Sequence, residues 1–281
     1  MTAADDARVL LRNRAGDSAR VSLHGGQLLS WQPAGDREQI YRSPLSAPAA
    51  GKALRGGAPI CFPQFSDRGP LPKHGFARTS RWELLSPSAS DAEVAQASLQ
   101  LDSTAASMRW EHAFTLVLVV RMGPGWIELQ LEAANTGRAA FAFTAAIHTY
   151  LAMQDVRTAN VRGLQGQAYE DALDGLALKQ EGAATLGFPG EIDRVYRDVP
   201  EALALEGGGM PPRRILQRGF PDTVVWNPGP DKAVRLGDMP AQDWLRMLCI
   251  EAAAAHPVEL APGKTWRGLQ RLELASREPG S

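Results

Sequence analysis

Wherever hydrophobic and polar positions along this chain show a readable period, it is mostly two, the signature of strands covered on one face only. "WIELQLEA", 126–133, puts Ile127, Leu129, Leu131 and Ala133 on one side and Glu128, Gln130 and Glu132 on the other. "WEHAFTLVLVVRM" precedes it and ends at "GPG", so 110–134 is predicted as a long β-hairpin. Further strands are predicted over Val9–Arg12, Ala19–Leu23, Leu28–Gln32, Arg81–Leu85, Ala97–Leu101, Phe141–Leu151, Thr223–Asn227, Trp244–Ala252 and Trp266–Leu274. Turns rich in Gly, Pro, Asp and Asn join them, and long helical periods are scarce. The segment 184–221 mixes many Gly and Pro with apolar anchors and is expected to form long loops over the sheets. An all-β fold, a sandwich or barrel of antiparallel strands in one domain spanning 1–281, is the expectation.

Charge narrows the partners. Thirty Lys and Arg against 31 Asp and Glu give a formal charge of -1, so no basic excess attracts nucleic acid or an anionic membrane. A small molecule is the expected ligand. The start, "MTAADDARVL", carries two aspartates where a signal peptide needs a basic and then an apolar stretch. No run approaches the ~20 apolar residues of a spanning helix, and a cytoplasmic location is expected. Cys61 and Cys249 lack CxxC spacing and are expected to be buried small apolar residues. The five histidines (24, 74, 112, 148, 256) show no HxH or HExxH spacing, and GxSxG, GxGxxG and P-loop motifs are absent. Neither a metal nor a cofactor is expected.

Strand parity then singles out side chains. In "AFAFTAAIHTYLAM" one face holds Phe141, Phe143, Ala145, Ile147, Thr149 and Leu151, while the other holds Ala142, Thr144, Ala146, His148 and Tyr150. Small residues before His148 leave room for a ligand; the competing reading is a core histidine bonded to a backbone carbonyl. In "WLRMLCIEAAAAH", Leu245, Met247, Cys249 and Glu251 share a face. Burial there raises a carboxyl's pKa toward the range useful to a general base, unless Glu251 is simply salt-bridged to Arg246 or Arg271. "KALRGGAPICFPQF" offers Arg55 and two glycines that let backbone approach a ligand, and "LPKHGFAR" offers Lys73, His74 and Arg78. Guanidinium pairs suit phosphate or carboxylate, although such arginines also serve as loop clamps or solvated surface groups. Asp193, expected in a loop, either accepts hydrogen bonds from hydroxyls or caps a turn.

The ordered set "SLHGGQLLSWQP", "RGGAPICFPQF", "LPKHGFAR", "HTYL", "EIDRVY", "FPDTVVWNP", "CIEAA" and "LAPGKTW" resembles the hexose-6-phosphate mutarotases (glucose-6-phosphate 1-epimerases) of the aldose 1-epimerase superfamily. That resemblance implies a galactose-mutarotase-like β-supersandwich of two large twisted antiparallel sheets. It implies His148 as acid and Glu251 as base, His74 and Asp193 on ring hydroxyls, and Arg55 and Arg78 on the phosphate. Gln64, Arg68, Lys73 and Asp222 are further candidate contacts; Arg68 lies in "FSDRGP", where relatives often have "FG". Protonated His148 beside ionised Glu251 is the expected resting state. The substrate implied is a sugar phosphate, with no cofactor, and the chain is expected to be a monomer. On the residues alone, an epimerase of unphosphorylated aldoses and a non-catalytic sugar-phosphate binder stay open.

Overall fold

The computed structural model describes residues 7–86, 92–103 and 110–275; the acidic start of the chain read above lies outside them. Half-covered strands need a partner layer, and they find it in two large antiparallel sheets. One runs, in spatial order, Ala177–Gln180, Ala168–Asp171, Ile192–Tyr196, Asp222–Asn227, Met247–Leu260, Phe141–Ile147 and Ile60–Cys61, with Tyr150–Ala152 also paired to Met247–Leu260. The other runs Leu186–Gly187, Asn160–Arg162, Ala202–Glu206, Arg213–Arg218, Thr265–Leu274, Trp126–Asn135, Phe114–Gly123, Ala95–Asp102 and Glu83–Ser86. A smaller sheet of Arg8–Arg12, Ser18–Ser22 and Gln27–Gln32 completes the set. Among the described residues no helix is long and apolar enough to cross a membrane.

The hairpin forms as the alternation demands. Phe114–Gly123 pairs with Trp126–Asn135 from Phe114↔Asn135 to Gly123↔Trp126, leaving Pro124 with its fixed φ and Gly125 at φ 72° to make the turn. Its inner residues, Leu116, Leu118, Val120, Leu129 and Leu131, share one core with Phe143, Ile147, Leu248, Ile250 and Val225 of the facing sheet. Each such buried side chain contributes roughly 1.5–3 kcal/mol. The sheet carrying Met247–Leu260 therefore spends one face on the core. Its other face carries Ala146, Cys61, Val224, Ala253, Tyr150 and Cys249.

Four expectations change. The segment 184–221 is not loop: it supplies Leu186–Gly187, Ile192–Tyr196, Ala202–Glu206 and Arg213–Arg218. In the last of these Arg213 and Gln217 are buried beside Ile215, so polar residues occupy inward positions and hide the alternation. Asp193 accordingly sits on a strand. Phe141–Leu151 breaks after Ile147 and resumes at Tyr150. The strand expected from Trp244 begins instead at Met247, after a 3₁₀ turn over Ala241–Arg246, and runs to Leu260.

Candidate active site

The break at His148 and Thr149 sets the geometry. The Thr149 hydroxyl donates to Gln270 in the opposite sheet, and Gln270 Nε2 donates to Ile250 O at 2.9 Å, so Thr149 is tied inward. His148 and Tyr150 project outward on the free face, their rings stacked with centroids 4.7 Å apart and planes 6° from parallel. Antiparallel register puts Tyr150 opposite Cys249 and Ile147 opposite Ala252, which brings His148 beside Glu251. His148 Nδ1 lies 3.2 Å from Glu251 Oε1. The angles of that contact are off-line, so Nδ1 and the carboxyl's Oε2 are both buried without a hydrogen-bond partner. Buried polar atoms of that kind are costly unless something else meets them.

Among the described residues neither candidate arginine pairs with Glu251: Arg246 Nη1 donates to Gln154 O at 2.9 Å, and Arg271 pairs with Glu128 and Glu273.

Burial dominates the electrostatics of the pair. Desolvation, reinforced by the charge of Asp193, lifts Glu251 well above the usual carboxylate range. Desolvation, followed by the fields of His74, Arg78 and Arg55, pushes His148 well below 6.5. Burial thus disfavours the charged form of each partner and works against the imidazolium–carboxylate pair that adjacency favours.

His74 adds a fixed donor. Its ring meets that of His148 at 5.4 Å, edge to face, and its backbone is held at φ 65°, a conformation other residues than glycine adopt at a cost. Ser66 N donates to its Nδ1 at 3.2 Å, so the neutral ring carries its proton on Nε2. Burial and the nearby charges of Arg78 and Lys73 hold its pKa down at about 3, and it stays neutral at pH 7. Asp193, half-buried, has neither hydrogen-bond nor ion-pair partner among the described residues, and burial raises its pKa.

The cations differ in their partners. Arg55 holds Asp238 through Nε at 3.1 Å and donates from Nη1 to the Tyr150 hydroxyl at 3.0 Å. Arg78 donates to Lys73 O at 2.8 Å, its Nε is buried without a partner, and no carboxylate pairs with it among the described residues. A 550 Å³ cavity takes Arg55, Arg78, Tyr150, Lys52 and Asp238 into its wall. A second, of 530 Å³, shares Arg78 with it and adds Lys73. The two glycines after Arg55 do not serve a ligand. A Cβ on Gly56 would lie 2.5 Å from Tyr41 O, and one on Gly57 would lie 2.4 Å from Leu28 O; both admit neighbouring backbone.

The four further candidates each have other partners. Gln64 pins its own loop, with Nε2 donating to Ser66 O and Leu71 O at 3.0 and 2.9 Å. Asp222 accepts from Ala255 N at 2.9 Å and faces His256. Arg68 does not join the anion end: it pairs with Glu170, which also binds Arg197 and His256. Lys73 pairs with exposed Asp67 at 3.1 Å. Phe65, packed on Ala146, Val195, Val224 and Ala253, and Arg68 together strap the 65–70 segment across the free face to the far strands.

Burial alone would raise the Glu170 carboxyl, but hydrogen bonds from Arg197 and Arg68 outweigh it and bring the pKa down to about 2. A carboxyl depressed below its unfolded value near 4.3 stabilises the fold above that value, and the contribution vanishes as pH falls toward 2. The protection of residues 66–72 against hydrogen exchange, relative to the intrinsic rate at each pH, is therefore expected to fall between about pH 5 and 2.5 in the wild type. Glu170→Gln should have lost that protection already at about pH 5.

Parity could have found Trp226, which shares the free face through its pairing with Cys249 and meets the His148 ring at 6.1 Å. Asp238 and Glu170 carried no signal in the sequence. The metal question also needed the fold: His148 is distant in sequence from Cys249 and Glu251, which share one strand, yet the potential ligand atoms of all three lie within 4.8 Å of one another. Burial holds the Cys249 thiol well above its usual pKa of 9, which opposes the thiolate that a metal would require.

The aldose 1-epimerase family model matches residues 7–273. The chain belongs to that family. Its relatives include two proteins named "Putative glucose-6-phosphate 1-epimerase". That of Cenchrus ciliaris is 34% identical over 96% of this chain and 84% of its own length, and that of Salmonella typhimurium is 34% identical over 97% and 92%. The crystal structure of the Salmonella typhimurium protein YeaD superposes with a TM-score of 0.85 at 31% identity, covering 93% of this chain and 88% of that one.

Proposed function

We propose that this chain interconverts the α and β anomers of hexose 6-phosphates, with glucose 6-phosphate as the preferred substrate. The observation that carries the reading is the buried His148–Glu251 contact of 3.2 Å, with unmatched polar atoms on both partners and two guanidinium groups lining the adjoining cavity. A binding protein has no use for a buried imidazole set against a buried carboxyl. An enzyme for free sugars has no use for Arg78 left without a carboxylate.

The chemistry balances without a redox change. In the reacting state Glu251 is ionised and His148 carries a proton; phosphate on Arg55 and Arg78 removes the repulsion that disfavours the imidazolium. Ionised Glu251 then takes the proton from the C1 hydroxyl while His148 delivers one to O5, and the C1–O5 bond opens to the aldehyde. Rotation about C1–C2 presents the other face. O5 attacks C1, returns its proton to His148, and O1 recovers the proton from Glu251. His74 and Asp193 hold ring hydroxyls, and the phosphate fixes C1 so that remote binding energy serves orientation.

Anomer exchange followed by NMR saturation transfer tests this. Wild type should accelerate exchange of glucose 6-phosphate far more than that of glucose; equal rates on both, or none above buffer, would refute it. The rate should form a bell in pH. Its acid limb should lie below the ordinary imidazole value of 6.5 and its alkaline limb well above the ordinary carboxyl value of 4.5, because burial lowers His148 and raises Glu251. The same profile on glucose removes the contribution of the phosphate's own ionisation near pH ~6.

A further inference from the structure

We propose that Tyr150 is a positioning residue joining the two ends of this site: its hydroxyl anchors Arg55 for the substrate phosphate, and its ring face seats the His148 imidazole against Glu251. The inference rests on the epimerase reading for its catalytic consequences and on geometry for the link itself. Tyr150 is 3% exposed, and its place is fixed by backbone, its N–H donating to Gly57 O and its carbonyl accepting from Tyr41 N, each at 2.9 Å. From that fixed point it makes two contacts of different kinds.

The hydroxyl accepts from Arg55 Nη1 at 3.0 Å while Asp238 holds Arg55 Nε at 3.1 and 3.2 Å. A long arginine side chain is thus immobilised at both nitrogens before any anion arrives, which lowers the ordering cost of binding one. The ring lies flat on His148 at 4.7 Å, and Trp226 meets both rings edge-on at 6.1 Å. An aromatic face attracts a cation, so this stack favours the protonated imidazole over the neutral one. It works against the burial and against the cations of Arg55 and Arg78. Glu251 and Cys249 on the neighbouring strand, with Cys61, His74 and Asp193 around them, complete the titratable groups facing His148. Tyr150 thus touches both the imidazole of His148 and the guanidinium of Arg55.

Two substitutions separate the contacts. Tyr150→Phe keeps the ring and removes the hydroxyl; Tyr150→Leu removes both. With Tyr150→Phe, KM for glucose 6-phosphate and the Kd for inorganic phosphate by calorimetry should each rise about fivefold, the scale of one lost hydrogen bond, with kcat within threefold and the pH limbs in place. Tyr150→Leu should show the same loss of phosphate affinity, a kcat at least tenfold lower on both glucose 6-phosphate and glucose, and an acid limb moved to lower pH. Unaltered phosphate affinity in Tyr150→Phe, or an unmoved acid limb in Tyr150→Leu, would overturn the proposal. Should wild type accelerate neither sugar, the epimerase reading fails on its own. Phosphate calorimetry and ¹⁵N titration of the His148 ring in wild type and Tyr150→Leu then still decide the link, with an identical imidazole titration in the two proteins refuting it.

Discussion

Glu251→Gln should lower the rate of glucose 6-phosphate anomer exchange about a thousandfold, within the range expected when one partner of a general acid–base pair is lost. The substitution preserves size and shape. It removes the group proposed to take the proton from the C1 hydroxyl, so kcat should fall while KM changes little. Saturation-transfer rates measured at several substrate concentrations separate the two. Stability provides the control. A carboxyl whose folded pKa is raised above its unfolded value favours the folded state below the unfolded pKa, and that advantage is lost as pH rises toward the folded one. Gln carries no such penalty. The inactive variant should thus melt at or above the wild-type temperature at pH 8–9 (roughly the upper end of the working range), whereas a lower melting temperature there would mean that packing, not proton transfer, had been disturbed.

Arg78→Ala should have the second largest effect, and a selective one. Arg78 faces two cavities, has an unpartnered buried Nε and no carboxylate partner among the described residues. Arg55 spends part of its charge on Asp238. A charged hydrogen bond contributes about 1.5–3 kcal/mol, and a guanidinium can offer two to a phosphate. The expected loss in kcat/KM is about a hundredfold or more for glucose 6-phosphate and only a few-fold for glucose. Parallel kinetics on the two sugars read it, and equal losses on both would show that Arg78 supports the fold of the site rather than the phosphate.

The physical reasons for what was legible in the sequence differ by region. Strands that cover the central core show themselves because one face is uniformly apolar: "WIELQLEA" places Ile127, Leu129 and Leu131 inward, and each is fully buried. Parity alone also put His148 with Tyr150 and Cys249 with Glu251. The strands between Leu186 and Arg218 were lost because they are short or carry polar residues inward, as Arg213 and Gln217 do. Contacts between distant segments were beyond reach: nothing in "LGDMP" announces that Asp238 will hold Arg55, and nothing in "FSDRGP" that Arg68 will turn to Glu170. The strength of the burial that acts on His148 and Glu251 was out of reach for a related reason. Adjacency favours opposite charges, but depth of burial favours none, and depth is set by the whole fold.

A crystal structure with glucose 6-phosphate bound tests the central claim most directly. O1 and O5 of one pyranose should lie within hydrogen-bond reach of Glu251 and His148, with the phosphate between Arg55 and Arg78. A sugar seated elsewhere, or one whose C1 points away from the pair with its phosphate far from both arginines, would contradict it.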